Sequence, residues 1–371
     1  MFMRWSATCT SLHKRKSYSV FCALLAESAR RRIASEDDAP AQYFTAEDGG
    51  GGIRIPLLRS PESDVNDRIA PRSRVALSEL TTFRIGGPAD VLIEASNPDD
   101  VVGFCAGLRA EGTPLTFLGG GSNVLVGDRG VKGAVLRFHG GQITRAASDA
   151  VRVDAGVSVN GLVRWCIGHG LGGFEAWAGT PGTLGGAVHG NAHFQDRLMS
   201  EVVIRACLLD RSGEVKVEPL ERLGFGYDRS RLQTTGEALL WVEIRVHEDD
   251  PAALRKTAKE SLTFRKRTQP LALASAGCIF QNPEAERARL PEGVPCSAGA
   301  LIDRVGLKGE RRGGARVSPV HANFFVNEGG ATARDVVALI DEARRRVRER
   351  FGIELREEIV RLGDFRPQRG G

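Results

Sequence analysis

Long hydrophobic runs are missing from this chain of 371 residues: nowhere do 18 apolar residues follow one another, so no transmembrane helix is expected. Cysteine is sparse. The seven, at positions 9, 22, 105, 166, 207, 278 and 296, are odd in number and include no CxxC pair, which fits neither a disulfide framework nor a zinc site and points to a reducing cytoplasm. An excess of one charge is missing too, once the leader is set aside. The formal net charge is +5, with 51 Lys and Arg against 46 Asp and Glu, but residues 1–34 alone hold seven basic residues against Glu27. The remainder has 44 basic and 45 acidic residues, a net of −1, too little to drive counterion release from a phosphate backbone; nucleic acid is not an expected partner. Aromatic residues make up only 6%, yet hydrophobic residues reach 42%, a globular composition whose length suggests two or three domains.

The leader offers only the outline of an export signal. A basic stretch, Lys14 to Lys16, precedes seven residues from Val20 to Ala26, but this segment sits late, contains Cys22 and is followed by three arginines. Residues 35–70 add Glu36, Asp37, Asp38, the run Gly49 to Gly52 and proline-punctuated polar sequence, so 1–70 reads as a disordered extension, with order expected from near Val75.

Beyond it, short apolar runs alternate with turn signals. Val91 to Glu94, Leu115 to Leu118, Ala134 to Phe138 and Val151 to Val153 read as strands, and helices are expected near Asp99 to Ala110 and Val159 to Gly170. A hairpin from Val202 turning at Arg211-Ser212-Gly213 and a strand from Leu239 to Val246 complete an α+β domain over 75–249. A charged helix, Asp250 to Arg267, then opens a second, smaller α+β domain over 250–363, followed by a tail, 364–371. That domain should hold a strand at Cys278 to Phe280, a helix capped by Ser297, a strand at Asn323 to Val326, and a helix from Thr332 in which Val336, Ile340, Ala343 and Val347 recur at helical spacing until Gly352.

Two glycine-rich loops carry the first chemical signal. Leu118-Gly119-Gly120-Gly121-Ser122-Asn123 follows an apolar strand, and the lack of Cβ atoms lets backbone N–H groups approach an anion. The segment has neither GxGxxG order nor a following Gly-Lys-Ser/Thr, so it is neither a Rossmann fingerprint nor a P-loop. Taken alone it could be a tight turn. A second loop, Ala178 to Ala187, has four glycines, a proline and the hydroxyls of Thr180 and Thr183, and two such loops in one domain point to a large phosphate-bearing cofactor. His189 and His193 have HxxxH spacing, but Gly190 and Asn191 between them argue against a helix, and no metal is expected. In the second domain Cys278 lies between glycine and an apolar strand, where a buried structural cysteine would be the ordinary reading. His321 beside a strand and Glu357-Glu358 near the C-terminus could equally be structural or solvated.

Taken together and in order, these segments resemble the UDP-N-acetylenolpyruvoylglucosamine reductase family, the flavoenzymes of peptidoglycan precursor synthesis. The resemblance runs from about Leu77 to Gly363 through Thr81 to Asp90, Gly119 to Leu125, Gly179 to Ala192, Cys278 to Pro283, Ala298 to Gly309, Gly313 to Asn327 and Leu355 to Gly363. It implies a two-lobed FAD-binding domain of the vanillyl-alcohol-oxidase type and a smaller substrate domain. NADPH would pass a hydride to FAD, and the reduced flavin would pass it to the enolpyruvyl group of a sugar nucleotide while an acid protonates the adjacent carbon. The carboxylate then gathers charge as an enediolate, so a cation or hydrogen-bond donors are needed there.

The resemblance also distributes roles. Arg84, Gly119, Gly120, Gly121, Ser122, Asn123, Thr180, Gly182, Thr183, Gly185 and Gly186 would bind FAD, and Asn282 and His321 would contact substrate. The family's proton-donating serine corresponds to Cys278, whose thiol can do the same work if it is not ionised beforehand, and the family's glutamate corresponds to Glu358. The family's arginine follows the tyrosine of a Tyr-Arg-x-Ser pattern, whereas this chain reads Tyr227-Asp228-Arg229-Ser230-Arg231; Arg229 would supply the guanidinium if the strand bulged by one residue, with Arg231 as the other candidate. The stretch from here to Cys278 lacks the insertion of one subclass, which implies the shorter, type II-like one. No histidine lies in Arg84 to Asp90 or Gly119 to Leu125, so FAD is expected to be non-covalent. A cytoplasmic monomer is expected, without nucleic-acid or membrane partners. The alternatives are another oxidoreductase or oxidase on the same flavin fold, or a flavin-binding protein that has lost turnover.

Overall fold

The computed structural model describes residues 43–46, 53–56, 70–284 and 290–366. Its first sheet has the order Arg72–Ala76, Pro88–Ala95, Val131–Phe138, Leu115–Leu118, the last three parallel and the first an antiparallel edge. Side chains alternate across a strand. Val91 and Ile93 therefore face one core with Ala134 and Leu136, while Leu92 and Val135 face a smaller cluster with Leu77 and Leu118. The helix Pro98–Ala110 covers the first face; Asn97 caps it by accepting from Asp100 N at 2.9 Å, and Pro98 sits where a missing N–H costs nothing.

The second sheet is antiparallel, in the order Val215–Pro219, Val203–Leu209, Ala238–Arg245, Ala150–Asp154, Ile143–Ala147. It shares one core with the first lobe: Trp241, Val242, Val151 and Val153 join Val91, Phe104 and Leu136 in a single buried cluster. The helix Val159–Gly168, capped by Ser158 through Gly161 N, adds Leu162, Cys166 and Ile167 to that cluster.

The third sheet runs Ala274–Cys278, Phe324–Asn327, Ala315–Val317, Arg311–Arg312, all antiparallel. Behind it lies the helix Ala333–Phe351, with a Thr332/Asp335 capping box, Val336, Ile340, Ala343 and Val347 fully buried, and Gly352 in the left-handed conformation at its end, as the spacing predicts. Phe83, Ile85 and Leu125 belong to this core although they precede it by some 150 residues or more. The chain then returns: Val360–Leu362 pairs in parallel with Val124–Val126 and fastens the C-terminus beside the first glycine loop.

Two expectations need correction. The leader read as disordered to residue 70 contains an antiparallel hairpin, Tyr43–Ala46 with Ile53–Pro56, whose Ile55 is fully buried in the first core together with Ala46 and Ile53. Its alternation spans only four residues a side, too short to stand out from polar surroundings. The remaining positions of 1–70, apart from Ala70, lie outside the described residues. The helix expected to open the second domain, observed as Pro251–Thr268, packs on the first core instead, because Leu254 and Ala258 turn toward that cluster. Among the described residues no helix is long and apolar enough to cross a membrane.

Candidate active site

The two glycine loops lie against each other. A Cβ on Gly120 would come within 2.5 Å of Gly182 Cα, and one on Gly119 within 2.5 Å of Thr183 Oγ1, so the loops can approach this closely only without side chains. Thr82 binds the first loop, its N donating to Gly121 O at 3.0 Å, and its hydroxyl reaches Ser275 O of the third sheet at 2.7 Å. Ser122 donates to Pro181 O at 3.3 Å. The backbone N–H groups of Gly120, Gly121, Ser122 and Asn123 donate to no acceptor among the described residues. Four neighbouring amides in a cleft opened by Gly119 to Gly121 fit the diphosphate of FAD.

The second loop divides its labour. Thr183 caps the helix Leu184–His189 through Gly186 N at 3.3 Å, and Gly185 N donates to Ala155 O at 2.8 Å, so these amides hold the protein rather than a ligand. Thr180 Oγ1 accepts from Arg265 Nη2 at 2.6 Å. That guanidinium lies 3.7 Å over the Phe194 ring, and burial lowers its pKa to about 10. Arg84 is exposed, and its carbonyl accepts from Asn327 Nδ2 at 3.2 Å.

Cys278 owes its position to a bulge. Ser275 pairs with Val326 but Cys278 with Phe324, and the extra residue is accommodated by Gly277 at φ 81°, a conformation that side chains resist. Past the bulge the chain leaves the sheet for a new partner: Glu358 N donates to Ile279 O at 2.8 Å and Gln281 N to Arg356 O at 2.9 Å. Glu358 is thereby fixed beside Cys278. Its own carbonyl accepts from Asn123 Nδ2 at 3.1 Å, so thiol, carboxyl and glycine loop form one connected unit. Asn323 is a residue that sequence reasoning missed; it is buried, its side chain satisfies both Phe280 N (3.0 Å) and Phe280 O (2.7 Å), and it also reaches the thiol.

The third contributor is the tight turn Gly226–Arg229, closed by Gly226 N to Arg229 O at 2.9 Å. Asp228 adopts φ 49° there and its side chain is buried, while Tyr227 and Arg229 on either side are exposed. Asp228 Oδ1 lies 2.8 Å from His193 Nδ1, Tyr227 tilts against the His193 ring at 5.2 Å, and Asn282 Nδ2 donates to Tyr227 OH at 3.3 Å. Asn282 Oδ1 accepts from Ala298 N at 3.0 Å.

Proximity has electrostatic consequences. Burial, reinforced by Asp228, raises the Glu358 carboxyl to about 8, His193 working against it. Burial, then Glu358 and Asp228, push the Cys278 thiol well above its ordinary range, so it stays protonated at neutral pH. Burial, then the same two carboxyls, raise Tyr227 to about 12.

Of the residues expected at the site, the structure brings together Cys278, Glu358, Asn282 and the first glycine loop. It does not bring Arg229. The turn sends that side chain back over Gly226, because a hairpin corner, unlike a bulged strand, points its second central residue inward and the next one out. Arg231 is engaged elsewhere, with Glu237 at 2.6 Å and Glu218 at 3.4 Å. His321 packs edge-on to Phe324 and its Nδ1 accepts from Asn323 N at 3.2 Å. His189 ends a helix and His193 begins a short strand, so the HxxxH pair does not share a face. His193 had no functional role in the sequence reading because its partner lies 35 residues away.

Comparison with known proteins agrees with this architecture. Residues 89–217 match the family model "FAD binding domain" and 269–362 match "UDP-N-acetylenolpyruvoylglucosamine reductase, C-terminal domain". A UDP-N-acetylenolpyruvoylglucosamine reductase of Anaeromyxobacter dehalogenans is 42% identical over 308 residues, covering 81% of this chain and 89% of the relative, and that of Bacillus subtilis is 35% identical over 292 residues. The crystal structure of the Thermus caldophilus reductase superposes with a TM-score of 0.65 at 34% identity, covering 79% of this chain and 100% of that one. Glycine loops, bulged thiol strand and returning C-terminal carboxyl thus sit in a fold whose relatives span most of the sequence, and the chain belongs to the UDP-N-acetylenolpyruvoylglucosamine reductase family.

Proposed function

We propose that this chain reduces the enolpyruvyl ether of UDP-N-acetylglucosamine to UDP-N-acetylmuramate with NADPH, a step of peptidoglycan precursor synthesis, and that Cys278 delivers the proton. When bound, FAD supplies the two-electron relay between NADPH and the terminal carbon of the enolpyruvyl group. The amides of Gly120 to Asn123 would hold its diphosphate, and Asn282 with Tyr227 would offer the substrate polar contacts. The observation that carries the proton assignment is the placement of a protonated thiol against Glu358 on the strand pair tied to the glycine loop through Asn123. Glu358, also largely protonated at neutral pH, returns a proton to the thiolate after donation. We place the enzyme in the cytoplasm as a monomer, since the site is built within one chain and the described cysteines are free thiols.

NADPH oxidation is the test. It should depend on the enolpyruvyl sugar nucleotide, and consumption no faster with that substrate than without it would sink the proposal. The flavin itself should be released into solution by acid precipitation, because neither segment that lines the cofactor cleft offers a tethering histidine; colour retained in the pellet would count against this.

The pH dependence has a definite sign. A carboxyl raised from 4.5 to about 8 keeps its proton longer in the folded state than in the unfolded one, so Glu358 makes stability decline as pH rises through that window. Melting temperatures recorded against pH should fall less steeply there for Glu358→Gln, and superimposable curves would refute the assignment.

A further inference from the structure

Among the described residues the cluster around Cys278 is rich in groups that lose protons and poor in groups that carry positive charge. Glu358 and Asp228 both act on the thiol, and both act on Tyr227. Arg229 lies folded over Gly226 and Arg231 is held by Glu237 and Glu218. One base acts on Glu358, and it is His193. Its setting is built, and the segments carrying it and Asp228 are clasped three times. Asn191 Nδ2 donates to Gly226 O at 2.8 Å, Ser230 Oγ donates to His189 O at 2.7 Å, and His193 Nδ1 meets Asp228 Oδ1 at 2.8 Å. Asp228 Oδ2 is buried with no hydrogen-bond partner among the described residues, while Oδ1 is held by the His193 imidazole. His193 Nε2 has no hydrogen-bond partner among the described residues, and the side chain keeps 27% of its surface exposed.

We propose that His193, pinned by Asp228, is the catalytic residue that donates a hydrogen bond to the substrate carboxylate as charge develops there on hydride transfer to the enolpyruvyl group, with Asp228 as its positioning residue. The role rests on the activity proposed above. Hydride adds to the terminal carbon, the double-bond electron pair moves toward the carboxylate as an enediolate, and the proton from Cys278 then arrives at the adjacent carbon. Before that proton arrives the substrate carries one more negative charge than it began with, brought to it by the hydride, and Nε2–H of the protonated ring can donate a hydrogen bond to it. The Asp228 hydrogen bond raises the His193 pKa against burial, and the charge of Asp228 adds to the effect, Glu358 contributing only where it has lost its proton.

The experiment compares half-reactions of the flavin-loaded full chain in a stopped-flow instrument. His193→Ala should slow reoxidation by the enolpyruvyl sugar nucleotide by about 10²- to 10³-fold, the usual loss for one donor to a developing oxyanion. Reduction by NADPH and the flavin spectrum should stay near wild type and so report an intact fold. Added imidazole, small enough to enter the vacated space, should restore part of the rate, whereas pyrazole, of the same size but uncharged at neutral pH, should not. Restoration by both would mean that the ring only fills space and would overturn the proposal. Reoxidation at the wild-type rate in His193→Ala would overturn it too, as would a large loss in Arg229→Ala without one in His193→Ala. A wild-type enzyme that NADPH reduces but the substrate cannot reoxidise would bring down the activity itself, and this role with it.

Discussion

A Cys278→Ala enzyme should still be bleached rapidly by NADPH, yet be reoxidised by the enolpyruvyl substrate roughly 10² to 10⁴ times more slowly, the usual worth of one general acid. The asymmetry follows from where the thiol sits and what it holds. Hydride transfer from NADPH needs no acid at this position, whereas the second half-reaction ends with a proton on carbon. Burial, Glu358 and Asp228 keep the thiol protonated until then. Once the substrate carboxylate becomes an enediolate, a stronger base lies next to the S–H bond and the transfer runs downhill. Cys278→Ser should retain much of the activity, since a hydroxyl in the same bulge after Gly277 reaches the same point. Single-turnover absorbance of the flavin reads both halves separately. Wild-type reoxidation in Cys278→Ala would move the donor to Glu358 or to a bound water.

The second large effect concerns stability. Ile55→Ala should cost about 2–5 kcal/mol, the usual range for deleting most of a buried aliphatic side chain, because the residue is fully buried in the core under the helix Pro98–Ala110. Removing residues 1–69 should destabilise the chain in the same sense, since Ala46 and Ile53 leave that core as well. This follows from the hairpin found within a leader that the sequence reads as a disordered extension. Denaturant titrations of the full chain, the Ile55→Ala variant and the truncated chain give the answer directly. If all three share one midpoint, the hairpin contributes nothing to folding.

Local pattern was enough for elements whose signal is regular and long. The helix Ala333–Phe351 follows from Val336, Ile340, Ala343 and Val347 recurring on one face, with Thr332 and Gly352 as its ends, because a helix is specified by contacts three and four residues apart. The ordered set of glycine loops, the thiol motif and the terminal Glu357-Glu358 likewise made the family and the flavin legible before any coordinates, and named Cys278 and Glu358 as candidates. Tertiary structure decided what depends on distant partners or on a single backbone angle. The allegiance of Pro251–Thr268 to the first core could not be read from its own amphipathic face, which says that it packs but not on what. Four-residue strands at Tyr43 and Ile53 carry too little alternation to be distinguished from polar linker, and only burial of Ile55 reveals them. Asn323 looked like strand and serves as a double clamp on Phe280. The sequence showed that Asp228 stands where a guanidinium was expected, and offered Arg229 as the repair. The left-handed turn at Asp228 places these side chains differently, since one positive φ leaves Arg229 exposed and brings a buried carboxyl to His193, a pairing over 35 positions that no local periodicity encodes.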